Sequence, residues 1–182
     1  RDEHALVAFG KAVDHIQSIR LDIPVAYEDG KSSFRETMEP IYLGYTNHLL
    51  KKAETQKDEA KQRTLRLARQ TIEKIKQTEL EDFLGGRCLT EGVQHYELDN
   101  IDHQAAIIYP IILPERLVLL VGIGNTVRQY IVSISERRVR KAATIMASRL
   151  RSPNLINDIS YRPSSEALYR WIIAPIEQDL IA

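Results

Sequence analysis

Ala105-Ala-Ile-Ile-Tyr-Pro-Ile-Ile-Leu113, then Pro114-Glu115, then Arg116-Leu-Val-Leu-Leu-Val-Gly-Ile123: this stretch decides the fold class of the 182-residue chain. Each apolar run is short, bounded by turn residues and rich in β-branched side chains, which favours a strand over a helix. Gly124-Asn125 supplies a second turn, because both residues tolerate positive φ. Residues 126–134 then make a third strand, with Tyr130, Val132 and Ile134 on one face. Three strands joined by two such turns must run antiparallel, since parallel neighbours need crossovers of about a dozen residues.

Working outward toward the C-terminus, Ser135 is placed to cap a helix whose inner face is Val139, Ala142, Ala143, Met146 and Leu150. Residues 152–163 form a polar loop with two prolines. Ser164 is expected to cap a last helix bearing Leu168, Trp171, Ile172, Ile176 and Leu180. Three antiparallel strands under two helices make a small sheet with an unfinished edge, which invites pairing with another strand. Either the preceding helices cover that edge or more chain continues the sheet.

Toward the N-terminus the period changes from strand to helix. Ala5, Phe9, Ala12, Ile16, Ile19 and Ile23 recur at spacings of four and three, one apolar stripe that stops at Pro24. Ser33 and Glu36 have the spacing of a capping box, and Phe34, Met38, Ile41, Tyr42, Tyr45 and Leu49 lie on one face behind them. Pro40 within this segment is expected to kink it or cost it a backbone bond. Residues 55–63 are polar, either a loop or the start of a third helix that carries Leu65, Ala68, Ile72, Ile75, Leu80 and Phe83. Gly85-Gly86 would end it, as a C-terminal residue without a β-carbon does. The chain is therefore α+β, with a helical part at 1–84 and a sheet-bearing part at 85–182.

Bulk composition narrows the function. Hydrophobic residues make up 43% and charged residues 27%, ordinary for a globular protein, and 25 Lys+Arg balance 25 Asp+Glu. No global charge excess points to nucleic acid or to a membrane surface. The single cysteine, Cys88, excludes an internal disulfide and a zinc site of paired cysteines, and fits a reducing, cytoplasmic setting. The longest apolar stretch, 105–123, is interrupted by Pro110, Pro114, Glu115 and Arg116 and falls short of the roughly 18 residues a spanning helix needs. The opening Arg1-Asp-Glu-His, without Met, reads as that of a chain cut from something longer.

No residue set rises to a catalytic, cofactor or metal site. Cys88 with His95 or His103 has the chemistry of a thiolate nucleophile, but neither histidine stands in a local motif, and a small buried residue is the commoner role of a lone cysteine. Gly122-Ile-Gly124 has the look of a phosphate loop, yet a strand follows it and not a helix N-terminus. Arg137, Arg138, Arg140, Lys141, Arg149 and Arg151 cluster on one helix with no interleaved aromatics, which reads as a solvated face. Asp99, Asp102 and His103 lack calcium-loop spacing and a glycine pivot. Tyr169 and Trp171 read as rim and core anchors.

Several strings, taken in order, resemble the TPR–CHAT family: large bacterial proteins, common in cyanobacteria, related to caspases and separase. Ala5-x3-Phe9-x2-Ala12 is similar to the second half of a tetratricopeptide repeat, where small residues let helices approach. Phe34-Arg-Glu-Thr-Met-Glu-Pro-Ile-Tyr42, and Ala68-Arg-Gln-Thr-Ile-Glu73 running into Glu79-Leu-Glu-Asp-Phe83, resemble the family's linker helices. Residues 105–113 followed by Glu115-Arg-Leu-Val-Leu119 resemble the opening hairpin of a CHAT domain. Leu168-Tyr-Arg-Trp-Ile-Ile-Ala-Pro-Ile176 resembles the helix that closes this opening part.

The resemblance implies a parent that is a caspase-like cysteine peptidase, with a repeat array that senses a protein partner. It also implies what this chain lacks. The family's dyad needs a His-Gly after one strand and an Ala-Cys after a later one. Here no histidine precedes a glycine, and Cys88 precedes the sheet. No catalytic residue carries over, and those of the parent are expected beyond Ala182. The chain then couples sensor to peptidase. The competing expectation is a helical-repeat interaction module with no enzymatic activity, which binds peptides in a groove or at the open sheet edge. A basic-helix nucleic-acid binder is the third, and nucleic-acid and membrane partners are not expected.

Overall fold

A computed structural model of the chain describes residues 2–19, 27–28, 31–32, 37–83, 105–151 and 159–181. It is a mixed α+β protein of two compact units, Arg1–Ile101 and Asp102–Ala182.

The first unit is built from α1 (Asp2–Ile19), α2 (Glu39–Glu54) and α3 (Asp58–Phe83). A minimal antiparallel ribbon, β1 (Tyr27–Glu28) against β2 (Lys31–Ser32), lies between α1 and α2 in sequence. Thr55 to Lys57 join α2 to α3, so the two helices form an αα-hairpin. Asp58, at φ 49°, turns the chain into α3 in the left-handed region that a short polar side chain tolerates. Val13 and Ile16 of α1, Tyr42, Leu49, Leu50 and Ala53 of α2, and Leu65, Ala68, Ile72 and Ile75 of α3 are buried. Between α1 and α2, Gln17 Nε2 donates to the Tyr42 hydroxyl at 2.6 Å.

Two details of the sequence reading change here. Pro40 does not kink α2, because the helix begins at Glu39 and the proline falls in the first turn, where the missing N–H has no intrahelical acceptor to lose. The buried seam of α1 runs through Val13 and Ile16, while Ile19 is exposed and Ala5, Phe9 and Ala12 are half-buried. The Ser33–Glu36 capping pair, Ile23 and Gly85-Gly86 lie outside the described residues, as do the side chains of Leu80 and Phe83.

The second unit is a three-stranded antiparallel meander in the order β3-β4-β5, with β3 at Ala106–Ile112, β4 at Leu117–Ile123 and β5 at Thr126–Val132. The register pairs Ile112 with Leu117, Tyr109 with Leu120, Leu119 with Tyr130 and Ile123 with Thr126. Gly124, at φ 51°, makes the two-residue β4–β5 turn. Central β4 is dry on both faces, with Leu117 to Val121 fully buried. That is why it reads as an unbroken apolar run with no alternation.

One sheet face carries Leu117, Leu119 and Val121 and packs with Ile134, Val139 and Ile176. Leu168, Trp171 and Ile172 close over them. Ile134 lies between β5 and α4, and the others covering this face come from α4 (Glu136–Leu150), α5 (Arg162–Ile172) and a 3-10 turn (Ala174–Ile176) that leads into α6 (Glu177–Ile181). The opposite face carries Tyr109, Ile111, Val118, Leu120 and Val127, also buried.

Three expectations are corrected in this unit. The last helix is not continuous, since Pro175 lacks an N–H and its ring collides with the carbonyl four residues back, so the chain tightens to 3-10 before α6. Nor does Ser164 cap α5; Tyr161 occupies the N-cap and Pro163 sits in the first turn. Of the inner face assigned to α4, Val139 and Ala142 are buried and Met146 is half-buried, but Ala143 and Leu150 are exposed.

Candidate functional site

The first unit holds a groove of about 260 Å³ lined by Glu3, Leu6, His48, Lys51, Lys52 and Thr55. It forms because α1 and α2 run antiparallel, which sets the first turns of α1 beside the last turns of α2. Lys51 and Lys52 belong at that end of α2, where the helix's negative pole favours cations. Phe9 and His48 meet across the pair with ring centroids 5.3 Å apart and planes tilted by 35°. The Thr55 hydroxyl donates to the Lys52 carbonyl at 2.9 Å, which closes the helix end.

The groove combines an apolar residue, Leu6, with two ammonium groups, an imidazole and one carboxylate. That set can hold a carboxylate or the polar end of a short peptide. It contains no thiol, and its one hydroxyl, on Thr55, is spent on a backbone carbonyl, so no activated nucleophile is present.

Below the groove, Tyr45 faces Gly10, its hydroxyl 3.3 Å from where a β-carbon of residue 10 would stand. Burial raises the Tyr45 phenol above its ordinary 10.0, and the Asp14 carboxylate adds to the shift. In the second unit, Asp179 of α6 accepts a hydrogen bond from the Tyr130 hydroxyl and pairs through Oδ1 with Arg128 Nη1 at 2.6 Å, which ties α6 to β5. The exposed Tyr169 hydroxyl donates to Glu177 Oε1 at 2.7 Å, and that bond raises its pKa.

The residues weighed in the sequence fall into two groups. Cys88, His95, Asp99, Asp102 and His103 lie outside the described residues. Gly122 and Gly124 belong to the β4–β5 hairpin, with β5 following directly, so no helix N-terminus faces them. The arginines of α4 are exposed; Arg140 pairs with Glu136 at 2.5 Å, and the Arg138 guanidinium lies 5.7 Å from the Trp171 ring centroid. Among the described residues no three His, Cys, Asp or Glu side chains gather as metal ligands. None of their helices is long and apolar enough to cross a membrane. The groove itself was missed in the sequence, because its lining comes from two helices more than 40 residues apart, joined only by packing. Compared with protein-family models, with curated proteins and with solved structures, the chain has no significant match.

Proposed function

We propose that this chain is the non-catalytic front part of a CHAT-domain protein, the segment that joins a tetratricopeptide array to a caspase-like cysteine peptidase. One observation carries the reading. Residues 105–119, which resemble the opening of a CHAT domain, form the β3–β4 hairpin, with α4 and α5 packed on one of its faces. Support also comes from the first unit, where antiparallel α1 and α2 pack through small residues as repeat helices do. In this reading the chain acts in the cytoplasm, receives a protein partner through its helices and relays that event to the peptidase.

The chain itself performs no peptide hydrolysis, because the dyad is missing from its 182 residues. Incubation with casein and with pooled fluorogenic peptides is expected to give no cleavage above buffer, unchanged in Cys88→Ala. Cleavage that disappears in Cys88→Ala contradicts the proposal.

The groove between α1 and α2 favours a second reading, a helical interaction module with no peptidase attached. The fate of a bound partner separates the two. A peptidase assembly cleaves it, and a module only retains it.

A further inference from the structure

The outer face of α4 has no role in either reading. Between Glu136 and Arg151 stand six basic residues and one acidic, Glu136. The chain has 25 charges of each sign, so the remainder carries an excess of five negative charges against the five positive of this helix.

Helical spacing sorts the surface. Arg137, Lys141, Thr144, Ser148 and Arg151 follow one another at intervals of four and three, so they line one stripe, opposite the buried Val139 and Ala142. All five are exposed. Among the described residues no carboxylate pairs with Arg137, Lys141 or Arg151. Ile145, 37% exposed, borders the stripe.

This arrangement works against the helix. Arg137 and Arg138 stand in the first turn, where the helix's positive pole disfavours a nearby cation. Carboxylates there would hold the helix better. A surface that keeps cations at a stability cost is suited to something that brings the opposite charge.

We propose that this stripe docks an acidic segment of a protein partner, with apolar side chains set among its carboxylates. The inference does not depend on the peptidase reading. Arg137 and Lys141 are neighbours one turn apart, so carboxylates about 5–6 Å apart engage both, and the guanidinium takes a carboxylate through two parallel hydrogen bonds. The apolar neighbour decides against nucleic acid. A phosphate backbone gains nothing from Ile145, whereas leucines of an acidic segment bury against it. The negative excess on the rest of the chain also opposes a long polyanion.

A random-peptide display library selected on the intact 182-residue chain tests this. The expected winners are enriched in Asp and Glu interspersed with Leu, Ile or Phe. Their binding, followed by fluorescence anisotropy, weakens with added salt and falls about tenfold or more in Arg137→Glu/Lys141→Glu, since about 1.4 kcal/mol is a factor of ten. Arg137→Gln/Lys141→Gln gives a smaller loss in the same direction and covers the case in which reversal disturbs the helix. Lys11→Glu/Lys57→Glu makes the same change in net charge at exposed positions outside the groove and leaves affinity within about twofold. The proposal is overturned if acidic peptides are not enriched, if they bind the Arg137/Lys141 variants as well as wild type, if both double variants weaken binding equally, or if duplex DNA binds the stripe more tightly than the selected peptides.

Discussion

The ring of Phe9 fills the space a side chain at Gly44 would need: its Cε1 lies 2.6 Å from the position of a β-carbon there. The contact is answered one residue along, where Tyr45 sits against Gly10 at 3.3 Å. Each helix offers a ring and a gap, and the two interlock. Close approach of α1 and α2 therefore rests on two glycines inside helices, where glycine is otherwise unfavourable.

Gly44→Ala sets two effects against each other. Alanine gains about 1 kcal/mol of helix propensity, while overlap with the Phe9 ring costs about 1–3 kcal/mol. The expected net result is a loss of about 1 kcal/mol in urea denaturation. With Phe9→Leu in the background the overlap is relieved, and Gly44→Ala becomes neutral or stabilising. Equal effects in both backgrounds would show that the ring is not what the glycine accommodates.

Asp179 is predicted to hold α6 on the sheet. It takes both the Tyr130 hydroxyl and Arg128, and its carboxylate is only 18% exposed. Asp179→Ala should lower stability by about 1.5–3 kcal/mol, the range for hydrogen bonds to a charged group. Arg128, 54% exposed, supplies the smaller share, so Arg128→Ala should cost under about 1 kcal/mol. Thermal melts of Asp179→Ala, Tyr130→Phe and the double variant check this. Additive losses from the first two would mean that the residues act separately.

Pro110 is predicted to guard the outer edge of β3. The Leu113 N–H donates to the Arg116 carbonyl at 2.9 Å, and alternation from that pair turns Ile111, Tyr109 and Ile107 toward β4. Ile112, Pro110 and Ile108 therefore face outward, and the middle of the edge has no N–H to offer. Pro110→Val restores the donor between two isoleucines. Sedimentation velocity should show self-association that grows with concentration, with slowed amide exchange at Ile108 and Ile112. A variant that sediments like wild type, or wild-type amides already protected at those positions, would contradict the guard.

How much of this was legible in the sequence depends on whether one segment or two were needed. The meander could be read because Pro114-Glu115 and Gly124-Asn125 punctuate three β-branched runs, and turns that short allow only antiparallel pairing. Leu65, Ala68, Ile72 and Ile75 were legible as the buried face of α3 because their spacing is the helix's own period. Pro175 stands inside an apolar period that continues through it to Leu180, so spacing alone does not mark the break. Leu150 looked like core because its spacing fits, although the end of α4 leaves it exposed. Gly10 and Gly44 carry no signal alone, since each has meaning only opposite a ring on another helix. The groove was hidden for the same reason.

Tyr45 should mark the alkaline limit of the first unit. The unfolded chain releases this proton near 10.0, and the folded chain holds it to higher pH because burial, then Asp14, disfavour the phenolate. The stability tied to the neutral phenol is complete below pH 10 and is lost as pH rises through the raised value. Tyr45→Phe should flatten that alkaline fall, and the difference in absorbance at 295 nm should place its titration above 10.0. Titration at the ordinary value would remove the effect.

The most direct test of the central claim is to read the coding sequence past Ala182. The account predicts a continuing frame with a strand ending in His-Gly, and a later strand ending in Ala-Cys. A stop codon immediately after Ala182, or a continuing frame without those two motifs, would contradict the peptidase assignment and leave a helical binding module.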